Sequence, residues 1–419
     1  MNSVDDESSS DDNSDYDDDA FKFMVLGFTL KEQRKSYWVH TRVDWEKHVT
    51  KLLHENRFHK RYRMSLKDFN FLVRLLQKYI KPNWDMSSRR CDHPIIAEVV
   101  VAVGLRYLSG GTYDDIMNVY GMSKTGLYKS RNKFLDAVLH CPQLAIKLPS
   151  TPEEWETIRI GFARKSTNGI MRGCVGAIDG FLQPVTTPRL KECNNNPRAY
   201  FSGHYNTTGL NCQGLCDSHL RFLHFSVIAP GKTADCRAYE DTGLPNIVNN
   251  LPSGIYIVGD AAYMLTEHML VPFTGAEKLD IEKDAYNFFQ SQIRIRIEMA
   301  FGRLTTKWRI LRRKLETSLK VSSKILSACA ILHNFVINRQ LGKEEFVRHV
   351  TKDCNLEIIA MQDSPLGWGY LPTVEELVPI PGTSQTRDIV LRKVTREGLR
   401  RPTHNVERRR LDLHDIGLM

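Results

Sequence analysis

A chain of 419 residues that is 42% hydrophobic is long enough for a buried core and for two or three folded parts, since compact domains run to about 100 to 200 residues. No run approaches the roughly 18 to 20 uninterrupted apolar residues of a membrane helix, and the Asp-rich start lacks the basic end and apolar middle of a signal peptide; the expectation is a soluble intracellular protein with no membrane partner. Net charge is +9, yet residues 1–20 carry nine carboxylates and no Lys or Arg, so the remainder holds +18, a balance that favours a polyanion such as nucleic acid.

Taken in chain order, residues 1–20 are too polar to repay the entropy of folding and read as a disordered acidic tail. Residues 21–150 read as a helical domain. From Trp45 to about Ile80 the apolar spacing is helical, with Ser65 as a cap before Leu66, Phe69, Leu72, Leu75 and Leu76. Between Pro94 and Leu139 three helical stretches are broken at Ser109-Gly110-Gly111 and Tyr120-Gly121-Met122. That layout, about 94–140, matches a helix-turn-helix. Thr112 to Val119 forms its short first helix, and Ser123 to Leu139 forms a reading helix that offers Lys124, Thr125, Tyr128, Lys129, Arg131 and Lys133 to DNA. A helical bundle without DNA contact is the plainer alternative.

After Gly173 the pattern changes to short β-like runs at Cys174 to Ile178, Leu210 to Leu215, Phe222 to Ile228 and Ile255 to Val258, with a helical insertion near Cys236 to Thr242. This order predicts an α/β domain over 151–340, a mixed sheet flanked by helices. A long helix follows over Asp284 to Lys314, its stripe formed by Tyr286, Phe289, Ile293, Ile297, Phe301, Leu304, Trp308 and Leu311, and an apolar helix over Val321 to Asn338 closes the core. Residues 341–386 read as a linker and 387–419 as a basic C-terminal tail, helical in character from Arg387 to Arg410, in which Glu407-Arg408-Arg409-Arg410 is a candidate patch for nuclear import or phosphate, with a solvated tail as the alternative. The nine scattered cysteines suit reduced thiols in a cytosolic or nuclear setting. Cys212, Cys216, His219 and His224 are a poor zinc set, because they straddle two strands and lack a close cysteine pair.

Three acids carry the chemistry. Asp179 follows the apolar run Cys174 to Ile178 and is expected at the end of a buried strand; Asp260 follows Ile255 to Val258 in the same way. Glu298 borders the apolar stripe of the long helix and can look toward the same rim. Converging carboxylates repel one another unless cations sit between them, and hard oxygen donors suit Mg²⁺ or Mn²⁺. Such a site can stabilise the entering and leaving oxygens of a phosphodiester. Each acid alone has an ordinary reading as a turn former or a solvated helix residue; it is the three together that point to a nuclease. Arg294, Arg303 and Lys307 on the same helix are candidates to neutralise DNA phosphates, with ion pairing to surface acids as the alternative.

Five segments, Gly176-Ala177-Ile178-Asp179-Gly180, Ala229 to Asp235, Gly259-Asp260-Ala261-Ala262-Tyr263, Arg294 to Gly302 and Ile331-Leu332-His333-Asn334-Phe335, resemble the PIF/Harbinger transposases and their domesticated nuclease relatives in the DDE superfamily. The likeness covers roughly residues 60–340. It implies a ribonuclease H-like core in which Asp179, Asp260 and Glu298 hold divalent metal, and it makes Asp235 an additional ligand candidate, with helix capping as its alternative. This chain has Ala234-Asp235-Cys236-Arg237 where the family often has His-Asp-Ser-Arg. The resemblance further implies cleavage and joining of double-stranded DNA, a nuclear location, and a Myb/SANT-like companion. Synapsis of two DNA ends suggests a homo-oligomer. A DNA-binding or chromatin adaptor without cleavage, and a nuclease acting on RNA, are the competing readings.

Overall fold

The computed structural model describes residues 41–80, 94–353 and 385–396. The acidic tail at 1–20, most of the expected linker and the Glu407 to Arg410 patch lie outside the described residues.

The N-terminal part is helical: α1 (Trp45–His54), α2 (Phe58–Tyr62), α3 (Leu66–Leu76), α4 (Ala97–Leu108), α5 (Tyr113–Tyr120) and α6 (Lys124–His140). Side-chain caps start four of these helices, Asp44 capping α1 by accepting from the Lys47 N–H. Ser65, Thr112 and Ser123 each accept a backbone N–H three residues on, which satisfies one of the otherwise orphaned donors of the first turn. Gly121 ends α5 in the left-handed region at φ 58, a conformation that costs glycine little, and so turns the chain into α6. α4 is buried almost throughout, and α6 lies against it closely enough that a Cβ on Gly104 would meet the Phe134 ring at 2.0 Å.

α7 (Pro152–Ala163), begun by a capping box of Thr151 and Glu154, leads into the sheet. Its strands are β1 (Cys174–Pro184), β2 (Phe201–Ser202), β3 (Thr207–Cys216), β4 (Phe222–Pro230), β5 (Tyr256–Val258) and β6 (Met269–Leu270), with α8 (Asp235–Glu240) and α9 (Leu244–Val248) inserted before β5. β3, β1, β5 and β6 stand side by side, and β2 and β4 both pair with β3. β1–β3 and β3–β4 are antiparallel; β1–β5 and β5–β6 are parallel. The chain is thus mixed α/β, with a mixed sheet flanked by helices.

α10 (Ile281–Lys307) packs across β1, β3 and β5 and buries Ile293, Ile297, Ala300 and Leu304, each large aliphatic contributing on the order of 1.5 to 3 kcal/mol by leaving water. It begins and ends earlier than the sequence suggests. Asp280 caps it by accepting from Glu282 and Lys283, and it stops at Trp308, whose ring is fully buried, before a 3₁₀ turn over Arg309–Arg312. α11 (Leu319–Asp353) runs further than expected, past the assumed linker start at 341. Its Leu319–Gly342 stretch is long and apolar enough to cross a membrane, but 61% of its most apolar window is buried here, against α6 and β4. α12 (Gln385–Arg396) falls at the start of the basic segment that reads as helical in character, and it packs on an amphipathic face: Val390 and Val394 are buried, and the Arg387 guanidinium lies 3.8 Å from the Phe273 ring centre.

The helical part and the sheet are not separate cores. Buried apolar side chains from Leu52 to Val394 form one continuous cluster, crossed by the Phe71–Phe335 stack and by the Lys324–Asp136 and Arg339–Asp68 ion pairs.

Candidate active site

Two strands set the position of the first two acids. β1 pairs in parallel with β5 only as far as Ala177 and Val258, then continues beside β3 alone, with Asp179 opposite Gly214. Asp179 therefore lies within β1, not at its end as the apolar run suggests; what ends there is the parallel pairing. Past the same point β5 gives way to Gly259-Asp260, and Asp260 Oδ1 accepts from the Ala262 N–H at 2.9 Å. Both carboxylates thus stand at the carboxyl end of one parallel strand pair.

Asp235 is the first residue of α8, and its side chain does not cap the helix. Its Oδ1 accepts from Asn211 Nδ2 at 2.8 Å and Gln213 Nε2 at 3.0 Å, both on β3. Gln213 also accepts from the Tyr263 hydroxyl at 2.7 Å, so one carboxamide joins the Asp235 helix to the loop that follows Asp260. Gly180 makes the approach possible: a Cβ there would lie 2.1 Å from Asp235 Oδ1.

α10 brings the fourth acid. Gln290, Arg294 and Glu298 are spaced by four and therefore share one face of the helix. Gln290 is buried and donates to the Gly259 carbonyl at 2.7 Å, which ties α10 to the loop bearing Asp260. Arg294 Nη1 is 2.6 Å from Glu298 Oε1 and 4.0 Å from Asp179 Oδ2. Because one nitrogen makes both contacts, the two carboxylate oxygens lie no farther apart than those lengths end to end, 6.6 Å. The side chain of Asp179 is 20% exposed and that of Glu298 47%, so the site grades from sheltered to open.

Burial pushes the Asp179 carboxyl up to about 6; the Gly180 N–H and Arg294 pull it down, while the charges of Asp260 and Asp235 push it further up. The same three aspartates raise the Tyr263 and Tyr205 hydroxyls in addition to burial. Asp179, Asp235 and Asp260 therefore share one electrostatic neighbourhood. Among the described residues no three His, Cys, Asp or Glu side chains already converge on one coordination point. The donor set nevertheless suits a hard divalent cation: it consists of carboxylate oxygens, partly sheltered and mutually repelling, around a cradle that a Cβ at Gly180 would fill.

Residues 178–334 match the DDE superfamily endonuclease family model. No curated protein and no solved structure matches the chain. The match covers less than half of the sequence and supports a nuclease of the DDE superfamily, a group that acts through divalent metal. All four acids fall inside the DDE-matching region.

The remaining sequence candidates are dispersed. Lys124, Thr125 and Lys129 are exposed on the first turns of α6, while Tyr128 and Lys133 are half-buried. Arg131 is buried, with its guanidinium over the rings of Tyr107 and Tyr128, and so packs the helix in place of facing solvent. Arg303 donates to Gln340 on α11, and Lys307 lies near Arg63 and Arg303, its ammonium pushed down to about 8 mainly by burial; among the described residues the ion pairs to the rim acids come from Arg294 instead. Cys212 and Cys216 are buried free thiols, raised by burial, and form no metal set with His219 and His224. Asn211, Gln213 and Gln290 escaped the sequence reading. Their signal was polarity where apolar residues are expected: two alternate positions of a buried strand, and one turn-spaced row on a helix stripe.

Proposed function

We propose that the chain is a DNA transposase or transposase-derived endonuclease of the PIF/Harbinger type, with Asp179, Asp260 and Glu298 as metal-holding catalytic acids and Asp235 as an additional ligand. The observation that carries the reading is the gathering of these side chains on one rim, where the parallel pairing of β1 and β5 ends, within the region that matches the endonuclease family. The strand order, antiparallel on one side of β1 and parallel on the other, suits a ribonuclease H-like core. Mg²⁺ or Mn²⁺ bound there would activate a water or a DNA 3′ hydroxyl and neutralise charge on the phosphate.

The residues of the chain do the positioning, which is where such enzymes gain most of their rate. β1 fixes Asp179, Gln213 and Asn211 aim Asp235, and Gln290 fixes the backbone beside Asp260. A net charge of +18 outside the acidic first twenty residues favours double-stranded DNA as substrate. In this reading α5 and α6 act as a helix-turn-helix that presents Lys124, Thr125 and Lys129. Nuclear residence, a homo-oligomer that holds two DNA ends, and a Myb/SANT-like companion belong to the same proposal.

The test is nicking of labelled DNA by the purified full chain in Mn²⁺, beside Asp179→Asn and Glu298→Gln. Both variants are expected to shift DNA as the wild type does and to lose cleavage by about a hundredfold or more. Undiminished nicking by either would sink the assignment, and preferential cutting of a matched RNA duplex would overturn the substrate class.

A further inference from the structure

The acids on the rim need compensation whether or not a cation is present, and one side chain is placed to give it. Arg294 stands between Asp179 and Glu298 through a single nitrogen, at 4.0 Å and 2.6 Å. Among the described residues no other Lys or Arg makes an ion pair with Asp179, Asp235, Asp260 or Glu298. Helix stabilisation does not explain this placement. An exposed i, i+4 pair contributes little, and Arg ahead of Glu is the weaker orientation against the helix dipole. Arg294 is instead three-quarters covered and turned to the sheet, where two further aspartates add negative charge.

We propose that Arg294 is the built-in counter-cation of the site. Its guanidinium holds the ground between Asp179 and Glu298 and keeps Glu298 facing the sheet in the metal-free protein. A divalent ion entering between those two acids competes with that guanidinium, which must withdraw from Asp179 for the ion to bind. Arg294 thereby lowers metal affinity and shields the empty site from collapse or repulsion. The proposal rests on the metal-site reading above. It assigns Arg294 a positioning role in the carboxylate rim, where the sequence suggests a contact to DNA phosphate.

The experiment is direct titration of the full chain with Mn²⁺, following free aquo-Mn²⁺ by electron paramagnetic resonance, for wild type, Arg294→Gln, Arg294→Ala and Arg294→Lys. Circular dichroism checks that each is folded. Loss of the guanidinium charge is expected to tighten Mn²⁺ binding by about tenfold in both the Gln and the Ala variants, with Lys near wild type. Metal-free Arg294→Gln should melt below wild type and gain more from added Mn²⁺ than wild type does. Unchanged or weaker Mn²⁺ binding by the neutral variants, with wild-type binding intact, overturns the role of Arg294 and leaves the metal site standing. A wild-type chain that takes up no Mn²⁺ overturns both.

Discussion

Gly180 is the residue at which sequence, packing and chemistry meet most tightly. It follows Asp179 directly and must lack a Cβ, because Asp235 Oδ1 occupies the place where one would be. Gly180→Ala therefore has to push the α8 carboxylate off its two carboxamide donors, Asn211 and Gln213. The strand itself tolerates alanine, so the fold should survive while Mn²⁺-dependent nicking falls by about tenfold or more, since small displacements of a positioned ligand are costly. A Gly180→Ala protein that cuts at the wild-type rate would remove Asp235 from the reaction. The Gly-after-Asp pairing is visible in the sequence, but its reason is not: the residue that needs the space is more than fifty positions away, and only the packing of α8 on β3, the strand beside β1, brings the two together.

At the level of elements, the Ile331-Leu332-His333-Asn334-Phe335 segment of α11 turns out to be a clamp on β4. Asn334 donates to the Phe222 carbonyl at 2.7 Å and accepts from its N–H at 2.8 Å, taking the place of a neighbouring strand. His333 Nε2 donates at 2.7 Å to the carbonyl of Leu220, a residue held at φ 69, where a side chain costs about 1 to 2 kcal/mol. Burial holds the imidazole neutral and pushes its pKa from 6.5 down to about 3. Between those values the unfolded chain binds a proton that the folded chain refuses. The contribution of His333 to stability is thus undiminished above pH 6.5, falls by up to about 1.4 kcal/mol per pH unit below it, and is fully lost near pH 3. Urea midpoints between pH 7 and 5 should drop less steeply in His333→Gln than in wild type; equal slopes would contradict a buried neutral histidine. Helices with caps and long stripes were legible in the sequence, as α3, α6 and α10 show, because Ser65, Ser123 and the 3.6-residue spacing act locally. The short pieces β2, β6 and α9 were not, since two to five residues carry no period and their pairing comes from neighbours far along the chain. The end of β1 was misjudged for a related reason: the apolar run marks where both faces are covered, not where hydrogen bonding stops.

For the whole molecule, the boundary near residue 150 that composition suggests does not divide the buried core. α11 joins β4 to α6, and the Phe71–Phe335 stack and Arg339–Asp68 pair bind α3 to the middle of α11. The full chain should therefore unfold in a single transition by circular dichroism and by intrinsic fluorescence together, and residues 151–341 expressed alone should not give a cooperative melt. Two separated transitions would restore the two-domain view. The Gln290–Gly259 bond gives the same connectedness a mechanical meaning. One helix carries Glu298 partway along its length and, two turns back, grips the backbone beside Asp260. A slide of that helix along the sheet would carry both acids together relative to Asp179, so the rim would widen or tighten along one coordinate instead of several independent ones.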